Sequence, residues 1–253
     1  MAPPSAQQSP RLSVVIPALN EARNIGHVLR TLPHDVFEVI LVDGHSTDGT
    51  VDVARAIRSD IQVVMQPGTG KGDALAAGFA ACRGDVVVML DADGSADGAE
   101  IPRFVDALVA GADLVKGSRF LQGGGSTDLS PLRRAGNRVF CSMVNTLFGT
   151  RYSDLCYGYN AAWLRELQGL SLDCGGFEVE TVLSIRSARS GLRVTEVPSL
   201  EADRLYGRSN LRTFRDGFRV LRAILREWRS AQADAPAPAG PTQVEPARDA
   251  VTP

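Results

Sequence analysis

Several features that would assign this chain to a membrane, to nucleic acid or to an oxidising compartment are missing from it. Its 253 residues contain no run of the ~18 uninterrupted apolar positions that a bilayer crossing requires. Met1–Pro10 is rich in Pro, Ser and Gln and has no hydrophobic stretch, which excludes a signal peptide and predicts a short disordered leader. The 27 basic and 29 acidic residues nearly cancel to a net charge of -2, so there is no whole-chain case for nucleic acid as a partner. Four widely spaced cysteines, Cys82, Cys141, Cys156 and Cys174, match no zinc pattern and predict reduced, mostly buried thiols in a cytoplasmic protein. Gly70-Lys71-Gly72 lacks the spacing and the following Ser or Thr of a Walker loop, which argues against ATP binding of that kind.

What is present is ordinary in bulk and organised in detail. Apolar residues at 44% and charged residues at 22% lie near globular averages, and the length suffices for one α/β domain with appendages. A folded domain is expected over 11–210, a basic amphipathic helix over 211–230, and a disordered Ala/Pro-rich tail over 231–253. Short β-branched runs at Leu12–Ile16, Phe37–Val42, Ile61–Met65, Val86–Leu90 and Asp113–Gly117 alternate with helical spacing at Asn20–Leu32, after Gly49, at Asp73–Cys82 and around Glu100–Ala110. That alternation predicts a mostly parallel sheet with helices on both faces, and ligands beyond the carboxyl ends of its strands. Asn20, Glu21, Asp43, Lys71, Asp91 and Asp93 all fall at those ends. The second half is less regular: a mobile loop at Gln122–Ser130, then helices at Leu132–Phe148, Phe177–Ser190 and Leu211–Arg229 and a strand at Arg193–Pro198.

Asp91-Ala92-Asp93 places two carboxylates directly after the most apolar strand. In extended backbone, residues two apart point the same way, so both are expected to face one ion. Mg²⁺ takes one or two protein carboxylates and completes its shell with water and phosphate oxygens. A nucleoside diphosphate leaving group needs such an ion to offset its charge. Alone, the tripeptide fits a polar turn equally well.

Its companions make it more than that. Val-Val-Ile-Pro-Ala-Leu-Asn-Glu (14–21), Val-Asp-Gly-His-Ser-Thr-Asp-Gly-Thr (42–50), Gly-Lys-Gly (70–72), Leu-Asp-Ala-Asp-Gly (90–94) and Gly-Ser-Arg-Phe (117–120) occur in order. Asp154, Gly158-Tyr159, Gly176-Phe177-Glu178-Val179-Glu180, Glu196-Val197-Pro198 and Arg204 with Gly207-Arg208-Ser209-Asn210-Leu211 follow. In this the chain resembles the family 2 glycosyltransferases of the GT-A fold, the group that includes dolichol-phosphate mannosyltransferase and polyprenyl-phosphate sugar transferases. The resemblance implies a Rossmann-like sheet, a nucleotide-diphosphate sugar donor, and Mg²⁺ or Mn²⁺ on Asp91 and Asp93. It further implies that Pro17, Ala18, Asn20, Glu21, Asp43 and Lys71 contact the donor. Arg119 would face the sugar or an acceptor phosphate, and Arg204, Arg208 and Ser209 would bind phosphate. One departure stands out: Asp43-Gly44-His45-Ser46 replaces the family's Asp-Asp-Gly-Ser, which leaves the preferred base open. His45 reads as an exposed turn residue or as a ligand contact.

A phosphate acceptor can attack without a base, whereas a sugar hydroxyl needs one. Asp154, Glu178 and Glu180 are the candidate catalytic bases, and Glu178 and Glu180, two apart at a helix start, do not share a face. Phe214, Phe218, Leu221, Leu225 and Trp228 form one helical stripe, with Arg215, Arg219, Arg222, Arg226 and Arg229 one position behind each. Two readings follow. The helix lies on an anionic membrane at the inner face, serving a polyprenyl phosphate acceptor, or it packs on its own domain with a solvated basic flank. The leading expectation is an inverting transfer to polyprenyl phosphate. A soluble acceptor is the alternative, ahead of a nucleotidyltransferase, which would carry a glycine-rich loop where Pro17–Glu21 stands, and of a non-catalytic binding module.

Overall fold

A computed structural model of the protein describes residues 9–207 and 211–233. The first half builds β1 (Leu12–Ala18), α1 (Ile25–Thr31), β2 (Glu38–Asp43), α2 (Thr50–Ile57), β3 (Gln62–Met65), α3 (Lys71–Ala81), β4 (Val86–Met89), α4 (Ile101–Val109) and β5 (Leu114–Ser118). The second half adds β6 (Gly125–Ser126), α5 (Pro131–Phe148), β7 (Asn160–Trp163), α6 (Leu164–Gly169), α7 (Val179–Arg189), β8 (Val194–Pro198), β9 (Leu200–Glu201) and α8 (Thr213–Ala233).

Seven strands form one sheet in the order β3-β2-β1-β4-β7-β5-β8. β7 runs antiparallel to both its neighbours, β4 and β5, while the remaining pairings are parallel. Successive residues of β1 supply opposite layers: Val14 and Ile16 join a core with α1, α2 and α4, and Val15 joins one with α3, α6 and α7. That two-sided burial is why the parallel strands read as continuous apolar runs rather than alternating ones. A third cluster ties α5, α7 and α8 together through Cys141, Val144, Ile185, Val220 and Ile224. The sheet is therefore the expected α/β layer structure, with its crossovers in place.

Four local readings change. β7 has no β-branched residue, and its strand geometry comes from hydrogen bonding on both edges. The loop 122–130 contains β6, which pairs with β9 because Gly125 and Ser126 meet Leu200 and Glu201. α8 runs to Ala233, so the first three residues of the expected tail are helical; 1–8 and 234–253 lie outside the described residues. The buried face of α8 is Asp216, Val220, Ala223, Ile224 and Glu227, not the aromatic stripe. Its two acids can be buried because each is matched: Glu227 accepts from Arg186 at 2.7 Å and Arg189 at 3.1 Å, and Asp216 lies 3.6 Å from Arg219. Phe214 and Phe218 are left 82% and 66% exposed. The last helix thus packs on its own domain while its first aromatic residues face outward.

At the amino edge of the sheet, buried Glu38 accepts from Ser13 Oγ (2.7 Å), Arg83 N (2.6 Å), Arg83 Nε (3.0 Å) and Gly84 N (3.2 Å). Burial raises its pKa, but those donors outweigh it and hold the carboxyl below its ordinary value. A depressed carboxylate contributes stability above its unfolded pKa and loses it as pH falls through the folded one. Glu38→Ala should cost ~2–3 kcal/mol near neutral pH, because the buried Ser13 hydroxyl and the Arg83 N–H lose their acceptor, while Gly84 N keeps Ser13 Oγ. Urea denaturation at about pH 7 and about pH 3 should show the difference shrinking in acid.

Candidate active site

Beyond the carboxyl ends of β1, β2 and β4 opens a cavity of about 640 Å³. Pro17, Ala18, Glu21, Gln66, Lys71, Asp91 and Asp93 line one half. Residues of α5, α7 and α8 line the other.

Leu90 ends the apolar run, and Asp91–Gly94 then turns instead of continuing extended. The reason is local: Asp93 Oδ1 accepts from Ser95 N at 3.0 Å and Ser95 Oγ at 2.7 Å, closing a side-chain turn. The two carboxylates therefore do not share the extended backbone expected of them, yet both line the same cavity. Asp91 Oδ1 lies 2.6 Å from Lys71 Nζ, and Asp93 Oδ2 lies 3.5 Å from Arg204 Nη2. Among the described residues no three His, Cys, Asp or Glu side chains converge. The donor set fits a divalent ion that takes two protein carboxylates and borrows the rest from phosphate and water.

Lys71 also lies 2.7 Å from Glu180 Oε1. Burial works against its ammonium, but Asp91 and Glu180 overcome that and raise its pKa. The flanking glycines explain how the three groups meet. A Cβ on Gly70 or Gly72 would collide with the backbone carbonyl of Gly175 or Cys174, so only glycine lets residues 174–176 run against the start of α3. That approach delivers α7, and with it Glu180, to Lys71. Gly158 completes the enclosure, since a Cβ there would overlap Lys71 Nζ and lie 2.6 Å from Asp91 Oδ2. Gly158→Ala should therefore cost ~1–3 kcal/mol through overpacking. It should also abolish most of the metal-dependent rise in melting temperature with nucleoside diphosphate, read by thermal shift.

On the opposite side, Arg204 Nη1 lies 2.8 Å from both oxygens of Glu21. Burial pushes the Glu21 carboxyl up, and hydrogen bonds from Asn24 and Arg204 only partly offset it. The segment bearing Arg204 is strapped down by Ala202 N to Ser95 O (2.8 Å) and Asn24 Nδ2 to Tyr206 O (3.0 Å). Arg208 and Ser209 lie outside the described residues. Asn20, in a left-handed conformation, lines a smaller adjoining cleft and accepts from Thr47 N through Oδ1. Buried Asp43 accepts from Ser46 N with Oδ2 and keeps Oδ1 without a partner. An unpaired buried acceptor at a strand's carboxyl end suits a ligand N–H. His45 is exposed and anchored to the Gln66 carbonyl at 3.0 Å.

Three of the expected site residues are engaged within the protein or lie off the cavity. Arg119 lines the cavity but is only 7% exposed, with its guanidinium already engaged. Nε and Nη2 donate to Asp154 at 2.7 and 2.9 Å, Nη1 donates to Glu201 at 3.1 Å, and the Tyr157 ring lies 4.8 Å away. Asp154 is fully buried, accepts from Arg119 with both oxygens and does not line the cavity, so it braces Arg119 and is not placed as a base. Glu178 does not line the cavity either and accepts from Gly176 N. Of the three candidate bases only Glu180 reaches the cavity, and it is paired. Glu201, Asp128, Leu129, Leu132 and Phe140 are cavity residues that pattern reading passes over. One signal was available for the polar half: the chain has only two lysines, Lys71 and Lys116, among its 27 basic residues; Lys116 is buried and the Lys71 side chain is largely covered.

Residues 13–177 match the profile of Glycosyl transferase family 2. The undecaprenyl-phosphate mannosyltransferase of Micrococcus luteus is 34% identical over 213 residues, covering 79% of this chain and 87% of that protein. The polyprenol monophosphomannose synthase of Mycolicibacterium smegmatis is 33% identical over 245 residues, covering 89% of each. Among solved structures, glucosyl-3-phosphoglycerate synthase of Mycobacterium tuberculosis, crystallised with Mn²⁺, UDP and glucosyl-3-phosphoglycerate, aligns with a TM-score of 0.69 and 26% identity. That alignment covers 86% of this chain and 80% of the other.

Proposed function

This chain belongs to glycosyl transferase family 2, and we propose that it moves a hexose from a nucleotide-diphosphate sugar to a polyprenyl phosphate at a membrane surface. The observation that carries this reading is the continuity of the cavity. From Asp91 and Asp93 it runs directly into a trough of Leu129, Leu132, Phe140, Phe214, Phe218 and Leu221 between α5 and α8. A site for a small soluble acceptor has no use for that apolar extension, whereas an isoprenoid chain fills it.

Charge pairing points the same way. Each acidic residue lining the cavity has a cationic partner: Glu21 and Asp93 with Arg204, Asp91 and Glu180 with Lys71. Asp128 pairs with Arg133, Glu201 with Arg119, and Asp216 with Arg219. A phosphate acceptor has no proton to lose and needs no free base, so it is the acceptor best served by a cavity whose carboxylates are all engaged by cations. A phosphate oxygen would attack the anomeric carbon with inversion. The bond from that carbon to the diphosphate breaks, and its electron pair leaves on the diphosphate. Asp91 and Asp93 would hold Mg²⁺ or Mn²⁺, which when bound offsets the charge of the departing diphosphate. Pro17, Ala18, Glu21 and Asp43 would hold the nucleotide, Asp43 through its free Oδ1, with Asn20 shaping the adjoining loop. Arg204, with Arg208 and Ser209, would receive the acceptor phosphate. Arg119 keeps Glu201 in place rather than gripping substrate.

No helix among the described residues is long and apolar enough to cross a membrane. Phe214 and Phe218, flanked by Arg215, Arg219 and Arg222, would enter the headgroup layer. Phe214→Ser with Phe218→Ser should weaken sedimentation with phosphatidylglycerol vesicles by about tenfold or more.

Purified protein incubated with labelled guanosine and uridine diphosphate hexoses, Mg²⁺ or Mn²⁺ and polyprenyl phosphate should yield solvent-extractable label. No extractable label from any donor would overturn the reading. The likeness to a synthase solved with glucosyl-3-phosphoglycerate favours a second one, a soluble phosphorylated acceptor. Label appearing on phosphoglyceric acid, and not in the lipid phase, would select it.

A further inference from the structure

Lys71 does in this structure what a metal ion does elsewhere: one cation bridges carboxylates from two different elements. Its Nζ is 2.6 Å from Asp91 at the end of β4 and 2.7 Å from Glu180 on α7. We propose that Lys71 is a built-in stand-in for the divalent ion, holding Asp91 until metal and diphosphate arrive and yielding that carboxylate to them. The inference rests on Asp91 being a metal ligand, and goes beyond it by giving the donor-free site its own cation.

Three observations carry it. The first is exposure. Lys71 is 11% exposed and Glu180 5%, but Asp91 is 34% exposed, so Asp91 opens to the cavity while Lys71 reaches it from behind. An ion arriving from the cavity meets the same carboxylate from the free side. The second is charge. Among the described residues, Glu21, Asp91, Asp93 and Glu180 form ion pairs with Lys71 and Arg204, which leaves two negative charges, the complement of one divalent ion. The third is residue choice. The chain uses arginine at all but two of its 27 basic positions, yet places a lysine here. Arginine grips a carboxylate with a planar fork, whereas an ammonium is a compact point charge on a flexible stem and can move from one oxygen to another. Glu180 is the second anchor that keeps the displaced ammonium inside the cavity, beside the incoming diphosphate. Glu180 is then a positioning residue for Lys71.

Mn²⁺ binding without nucleotide or acceptor tests this, using the electron paramagnetic resonance signal of free Mn²⁺. Lys71→Gln and Lys71→Met should each bind Mn²⁺ about tenfold more tightly than the unaltered protein, since a unit charge a few ångströms from the ion is removed. Asp91→Asn should abolish binding. Lys71 variants that bind no better, with Asp91→Asn still abolishing binding, overturn the stand-in role and leave the metal site standing. Asp91→Asn that binds normally overturns the metal site itself. The unaltered protein gives a second readout that survives any folding defect in the variants. Labelling with [ε-¹³C]lysine yields two side-chain resonances, and excess Mg²⁺ alone should shift that of Lys71 well beyond that of Lys116. A Lys71 resonance unmoved at metal saturation sinks the proposal.

Discussion

Asp91→Asn is expected to lower turnover by about 10²–10³-fold while leaving the fold intact, the loss typical when a group that stabilises developing charge is removed. The asparagine keeps the size of the side chain but not its charge, so the diphosphate would leave with less of its charge offset. Stability should change little, because Asp91 is partly exposed and Lys71 retains Glu180 at 2.7 Å. Single-turnover rates with saturating donor separate this from weak binding. A fall in both kcat and kcat/KM marks a transition-state role, and unchanged donor consumption would revive a non-catalytic binding domain. Asp93→Asn should be milder. Half of the Asp93 carboxylate serves the Ser95 turn and an asparagine can preserve that bond.

Arg119→Met is expected to act on stability first. It strands Asp154, whose side chain is fully buried, and removes one of the partners of Glu201. Breaking a buried pair from one side costs ~3–5 kcal/mol, because the remaining charge stays without compensation. In a domain of this size that corresponds to a fall of about 10 °C or more in melting temperature. Arg119→Lys should recover little, since an ammonium cannot reproduce the paired bonds at 2.7 and 2.9 Å to the two oxygens of Asp154. Arg119→Met combined with Asp154→Leu should recover most of the loss, as apolar replacement of a whole buried pair is often neutral. A melting temperature unchanged in the single variant would return Arg119 to the substrate-binding role first expected of it.

The parallel core was legible because it is local. Val14–Ile16, Val39–Val42 and Val86–Leu90 are apolar on both faces, and the second and third end at Asp43 and Asp91. β7 was not legible, because Asn160–Trp163 holds its conformation through partners 44 to 77 positions away in sequence. The stripe on α8 misled for a related reason. The helix buries Asp216 and Glu227, which look like surface residues until Arg219, Arg186 and Arg189 are placed beside them.

By itself the sequence determined the order of strands and helices, the end of the sheet at which the cavity opens, and Asp91 and Asp93 as two of its lining residues. Those depend on short-range patterns of burial and on the chemistry of a few side chains. Only the tertiary structure decided which charges are free to act. Arg119, Asp154 and Glu178 read as catalytic in one dimension; in three, Arg119 is paired with Asp154 and Glu201, Asp154 is fully buried, and Glu178 is not among the cavity-lining residues. Lys71 read as a donor contact, and it proves to bridge Asp91 and Glu180, 20 and 109 residues away. An ionised side chain is defined by the charges within a few ångströms of it, and nothing local in the chain says which ones those will be.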